Sequence, residues 1–263
     1  MVMNLSERAK SILHPFVLLF AVLVTWYVRS QVWFGLKSVE IVFAMLVMSY
    51  VVVLFIAIAF LKRDSHQSVK AVLRTGKNVL FIYGVALSIL FQVLFVVFCL
   101  ATGGAAEVTE WFSLKGYENY AVYSLSLAFT LYLAFAVVGA FVEEVTYRGY
   151  VQSRVTKEHG ALVGIAFSSV IFTLQHIHVF DARWISQFIE SQLLYVFLFG
   201  LFTAYFFFRT KLSLKGVIAF HVTMNIFNVA LPLKLSYLSP LTFPATNLLS
   251  FAVLFLTLKL LIS

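Results

Sequence analysis

Eight stretches of about twenty apolar residues constrain this chain more than any other feature. They lie near residues 12–28, 41–61, 79–102, 121–147, 160–180, 188–208, 216–232 and 245–262. At about 1.5 Å of rise per residue, each approaches or exceeds the length needed to cross a hydrocarbon layer roughly 30 Å thick. Inside lipid a backbone must satisfy its own hydrogen bonds, and consecutive apolar runs of this length do so as helices. The predicted fold class is therefore all-α: a polytopic membrane helical bundle of about eight transmembrane helices, with residues 1–263 forming a single membrane-embedded domain. Composition agrees, because 11% of the residues are charged where soluble domains hold about 25%.

The formal net charge of +8 does not point to nucleic acid in such a chain. Basic loops facing anionic lipid account for it, so the lipid bilayer is the expected partner. With the N-terminus inside, fourteen of the nineteen Lys and Arg residues fall on the inner side and five on the outer. Both termini of this multi-pass chain are accordingly expected in the cytoplasm; its shortness and lack of extra loops or retention signals give the separate expectation of a bacterial cytoplasmic membrane. The first apolar run follows Arg8 and Lys10, but no small-residue cleavage site comes after it, so it reads as an uncleaved first span. Cys99 is the single cysteine and can make no intrachain disulfide. The 29 Phe residues are expected on the lipid-facing surface. Pro15, Pro232, Pro240 and Pro244 are read as span boundaries, and Gly149 as a break before a short interfacial helix over 149–159.

Ionisable and amide side chains inside spans are costly, which marks them as functional candidates. Three clusters qualify. In FVEEVTYRGY, residues 141–150, Glu144 and Arg148 are four apart and share a helix face, so they form an ion pair. Glu143 points elsewhere, with no cation of its own nearby in sequence. In FTLQHIH, residues 172–178, His176 shares a face with Phe172, while His178 is assigned to the outer interface. In HVTMN, residues 221–225, His221 and Asn225 project together, and Asn228 continues the stripe. On straight, untilted helices Glu143 and His176 differ in depth by about 15 Å, so tilt or a deeper fifth span is required for them to meet.

A carboxylate, two imidazoles and an amide support three readings. One is hydrolysis, with Glu143 as general base, His176 assisting, and His221 with Asn225 donating to an oxyanion. Another is a zinc-dependent protease with Glu143, His176 and His221 as ligands, although no HExxH motif supports it. The third is a proton-coupled transporter, or a scaffold without activity; no internal repeat favours transport. Ser168 and Ser169 lack the context of a serine nucleophile.

Taken in order, EEVTYR, FTLQH and HVTMN match the EExxxR, FxxxH and HxxxN motifs of the CPBP family. The chain resembles these CAAX-protease and bacteriocin-processing (Abi) intramembrane glutamic endopeptidases over roughly residues 120–230, the expected catalytic core. The resemblance implies an endopeptidase with no cofactor and no metal, acting on a membrane-associated protein or peptide. It implies that Glu143 and His176 activate water, that His221 and Asn225 form the oxyanion hole, and that Glu144 and Arg148 support the site. Neither the substrate nor the oligomeric state can be read from the residues.

Overall fold

Each apolar run becomes a helix. The computed structural model describes residues 6–33, 39–65, 73, 75–102, 105–108, 125–177, 182–230, 233–236 and 242–262. In chain order the long elements are α1 (Glu7–Trp33), α2 (Val39–Ser65), α3 (Val79–Ala101) and α4 (Leu125–Glu144). A π-helical segment (Val145–Gln152), α5 (Ser153–His159), α6 (Ala161–Leu174), α7 (Ala182–Ser191), α8 (Leu193–Arg209), α9 (Leu214–Ala230) and α10 (Thr242–Leu261) follow. Among the described residues, Glu7–Val28, Val79–Ala101 and Phe243–Leu261 are long and apolar enough to cross a membrane. Large apolar side chains face outward, with Leu162, Leu260, Phe20 and Phe55 each more than two-thirds exposed. Such a surface suits lipid and not water.

Side-chain contacts give the directions of the helices. α1 and α2 are antiparallel: His14 meets Asp64 and Trp26 meets Tyr50. α2 and α4 run parallel, since Tyr50 pairs with Glu143 and Asp64 with the later Tyr150. α3 and α9 also run parallel and touch closely. A Cβ on Gly84 would stand 2.1 Å from the Gly216 carbonyl oxygen, so this crossing requires glycine. Because α3 and α9 end on the same side, the segments after them pair there. Ala105–Val108 (β1) and Leu233–Ser236 (β2) form an antiparallel ladder, Ala105 opposite Ser236. This small ladder was not expected from an all-helical reading.

Three further expectations change. Pro15 lies inside α1 and marks no boundary there, whereas Pro244 does stand in the first turn of α10. Pro232 and Pro240 lie outside the described residues. Phe is not confined to the lipid face: Phe91, Phe172, Phe199, Phe202, Phe206, Phe207, Phe220 and Phe251 are all buried. Gly149 does not break the chain. The helical backbone continues from Leu125 to His159 through the π-helical segment and ends at Gly160, whose φ of +89° is a conformation glycine adopts without strain.

That continuation matters for depth. π-helical turns are wider than α-helical ones and recur at functional sites. Here every residue from Val142 to Gln152 is buried, a pattern that a one-faced surface helix does not give. The hairpin turns at Gly160, so Thr156 packs on Gly164 and Tyr147 on Phe172. Glu143 stands seventeen residues before the turn and His176 sixteen after it. They lie at one level, and the depth gap closes without a special tilt.

Candidate active site

The pair predicted between Glu144 and Arg148 is present: Nε lies 3.2 Å from Oε2, and both side chains are fully buried. Arg148 also donates through Nη2 to the Gly200 carbonyl and the Thr203 hydroxyl. Its guanidinium stacks 4.3 Å over the Phe172 ring, a geometry that suits a planar cation. α8 and α6 thus hold the cation, and the cation holds Glu144. The second Glu144 oxygen, Oε1, accepts from His221 Nδ1 at 2.7 Å. Glu144 therefore joins Arg148 to the imidazole, a link that helical spacing within one segment could not show.

His221 sits between the two glutamates. With Nδ1 committed to Glu144, its Nε2 faces Glu143, 3.8 Å from Oε2. Phe199 packs against the ring at 4.7 Å between centroids. Glu143 is 8% exposed and is not without partners, as its local sequence suggested: Tyr50 from α2 donates to Oε1 at 3.0 Å. Tyr50 escaped the sequence reading, although a signal existed. Membrane tyrosines favour the interfaces, whereas this one stands mid-way along the 41–61 run.

His176 lies just past the end of α6, in a turn, where its Nδ1 bonds the Phe172 carbonyl at 2.8 Å. Its ring packs on Phe172 with centroids 4.8 Å apart, and it lies within electrostatic range of Glu143 and His221. The neighbouring Gln175 accepts from the Tyr147 hydroxyl at 2.7 Å, tying this turn to the π-helical segment. His178 lies outside the described residues. Asn225 shares the face of His221, as expected; its amide donates to the Ala136 carbonyl at 3.1 Å, and an amide nitrogen carries a second N–H. Asn228, next on the stripe, bonds Tyr195 of α8. Ser168 donates to the Tyr147 carbonyl and Ser169 to that of Ile165, so both hydroxyls have backbone duties. Among the described residues no three His, Cys, Asp or Glu side chains are grouped as a metal site.

Residues 125–227 match the family model for the Rce1-like type II CAAX prenyl endopeptidase. Over these residues the segment carrying the site is similar to the Rce1-like family. The match spans all six site residues, from Glu143 to Asn225, and leaves out α1, α2, α3 and α10. No curated protein matches the chain. On a bundle of apolar helices, the Rce1-like core supports an intramembrane endopeptidase acting on a membrane-associated protein.

Proposed function

We propose that the protein is a metal-independent glutamic endopeptidase that cleaves a membrane-associated peptide within the bilayer. The observation that carries this reading is the set Glu143, His221, Glu144 and Arg148, buried together among apolar helices with Nε2 of His221 facing Glu143. A water about 2.8 Å from both Glu143 Oε2 and His221 Nε2 closes a triangle on their 3.8 Å separation. Glu143 takes a proton from that water as its oxygen attacks the scissile carbonyl carbon, and His176 assists from the α6 turn. The carbonyl oxygen becomes an oxyanion that accepts from the Asn225 amide and from Nε2–H of His221, which carries a proton on each nitrogen while Nδ1 donates to Glu144. Collapse breaks the C–N bond, the proton on Glu143 passes to the departing amine, and the carboxylate is restored. Glu144 and Arg148 hold the imidazole in place throughout. The substrate class follows the family: a membrane-associated protein or peptide, of CAAX type or a peptide matured at the membrane. Residues 120–230 form the catalytic core of the single domain, and both termini lie in the cytoplasm.

The decisive test is cleavage of a membrane-peptide library in lipid by wild type and Glu143→Gln, with and without a zinc chelator. The expected result is activity in the wild type that survives chelation and is abolished by the substitution. Activity in Glu143→Gln removes the general-base assignment, and loss on chelation replaces this mechanism with a zinc-dependent one.

A further inference from the structure

Glu143 has two carboxylate oxygens, and they face different helices. Oε2 faces His221 of α9, while Oε1 accepts from the Tyr50 hydroxyl of α2 at 3.0 Å. A bond to one oxygen fixes the rotation of the carboxylate plane and so decides where the other oxygen stands. Tyr50 is itself tightly held. Trp26 of α1 meets its ring edge-on at 4.9 Å, and Phe135 of α4 tilts against it at 5.3 Å. Room for the phenol comes from Gly139, one helical turn before Glu143. A Cβ there would stand 3.0 Å from both Cζ and the hydroxyl oxygen of Tyr50. Only 7% of Tyr50 is exposed, so its hydroxyl is kept where a lost partner is expensive.

From this arrangement we infer that Tyr50 is a positioning residue for the reaction, contributed by a helix outside the matched family segment. Its hydroxyl holds Oε1 of Glu143 so that Oε2 is the oxygen presented to water and to His221. This inference rests on Glu143 being the general base. Displacing a reacting group by about 1 Å costs on the order of 100-fold in rate, so loss of this one bond acts on turnover more than on substrate binding.

The test is steady-state cleavage in lipid by wild type, Tyr50→Phe, Gly139→Ala and the double variant, with thermal melting of each in detergent. Tyr50→Phe keeps the ring and removes the hydroxyl. It is expected to lower kcat by about 10- to 100-fold and to leave KM within about two-fold. Gly139→Ala, which pushes on the phenol from beneath, is expected to lower kcat in the wild type and to add little in the Tyr50→Phe background. A Tyr50→Phe variant with unchanged kcat, whatever its melting temperature, overturns the inference and leaves the protease reading standing. Absence of cleavage by the wild type, equal to that of Glu143→Gln, overturns both.

Discussion

Two charge networks lie along the same helical hairpin and differ in how far their partners reach solvent. The inner one joins Arg148, Glu144 and His221, with no exposure at Arg148 or Glu144. The outer one lies past the apolar part of α2. There Asp64 accepts from Tyr150 and His14, each at 2.6 Å, and from Arg63 at 3.0 Å. Arg154 bonds the Asp64 carbonyl and reaches Glu7, whose side chain is 60% exposed. Both networks tie the segment from Glu143 to Arg154 to neighbouring helices. The inner one is buried at both ends of its ion pair, whereas the outer one is buried at Asp64 and Arg154 but opens to solvent at Arg63 and Glu7, where water can replace a partner. The buried Glu144–Arg148 pair is therefore costly to break from either side, while the exposed Glu7 can leave the outer network at little cost.

The sharpest way to break this contrast is to remove one partner from each network. Arg148→Ala strands Glu144 in the interior and is expected to cost about 3–5 kcal/mol, read as a large drop in melting temperature in detergent. Glu143→Ala should melt well above it, and equal melting of the two contradicts the division of labour between the adjacent glutamates. Replacing both partners with apolar residues, as Glu144→Leu with Arg148→Met, should recover part of the stability without recovering cleavage, because His221 then loses the acceptor for its Nδ1. If cleavage returns, Glu144 has no part in holding the imidazole.

In the outer network, Asp64→Asn is expected to cost about 1 kcal/mol. Burial pushes the Asp64 carboxyl up, but the bonds from Tyr150, His14 and Arg63 outweigh it and hold it below the usual carboxylate range. A carboxyl lowered by folding stabilises the fold above its unfolded value, about 3.9. That contribution is lost as pH falls through the folded value. The melting gap between wild type and Asp64→Asn should thus be present at pH 7 and close below about pH 4. A gap that persists in acid shows that the carboxylate is not what the variant removes. Smallest of all is Glu7→Gln: its exposed carboxylate should be replaceable with melting and cleavage unchanged.

Much of the candidate site was legible because its residues are intolerable in lipid without a purpose. Glu143, Glu144, Arg148, His176, His221 and Asn225 stand out as polar groups in apolar runs, and the four-residue spacing of Glu144 and Arg148 was enough to pair them. What local spacing could not show is which helix answers which. Tyr50 reads as one aromatic residue among many, and the Glu144–His221 bond joins residues 77 positions apart. Reading Gly149 as a break placed Glu143 too near the end of its helix, and so created a depth gap that the chain does not have. The error arose because a glycine inside a helix costs only about 1 kcal/mol, which packing on all sides of the π-helical segment readily offsets.

From its sequence alone, this protein had to be a bundle of apolar helices with a few buried charges, since hydrocarbon length and backbone satisfaction admit little else. Its tertiary structure decided which of those charges meet. Where the hairpin turns, at Gly160 and not at Gly149, sets Glu143 and His176 at one level. Packing of α9 on α4 puts an imidazole between two carboxylates, and packing of α2 on α4 adds a phenol behind one of them. Such contacts depend on helix order, direction and close approach, which are properties of many residues together and of no single motif.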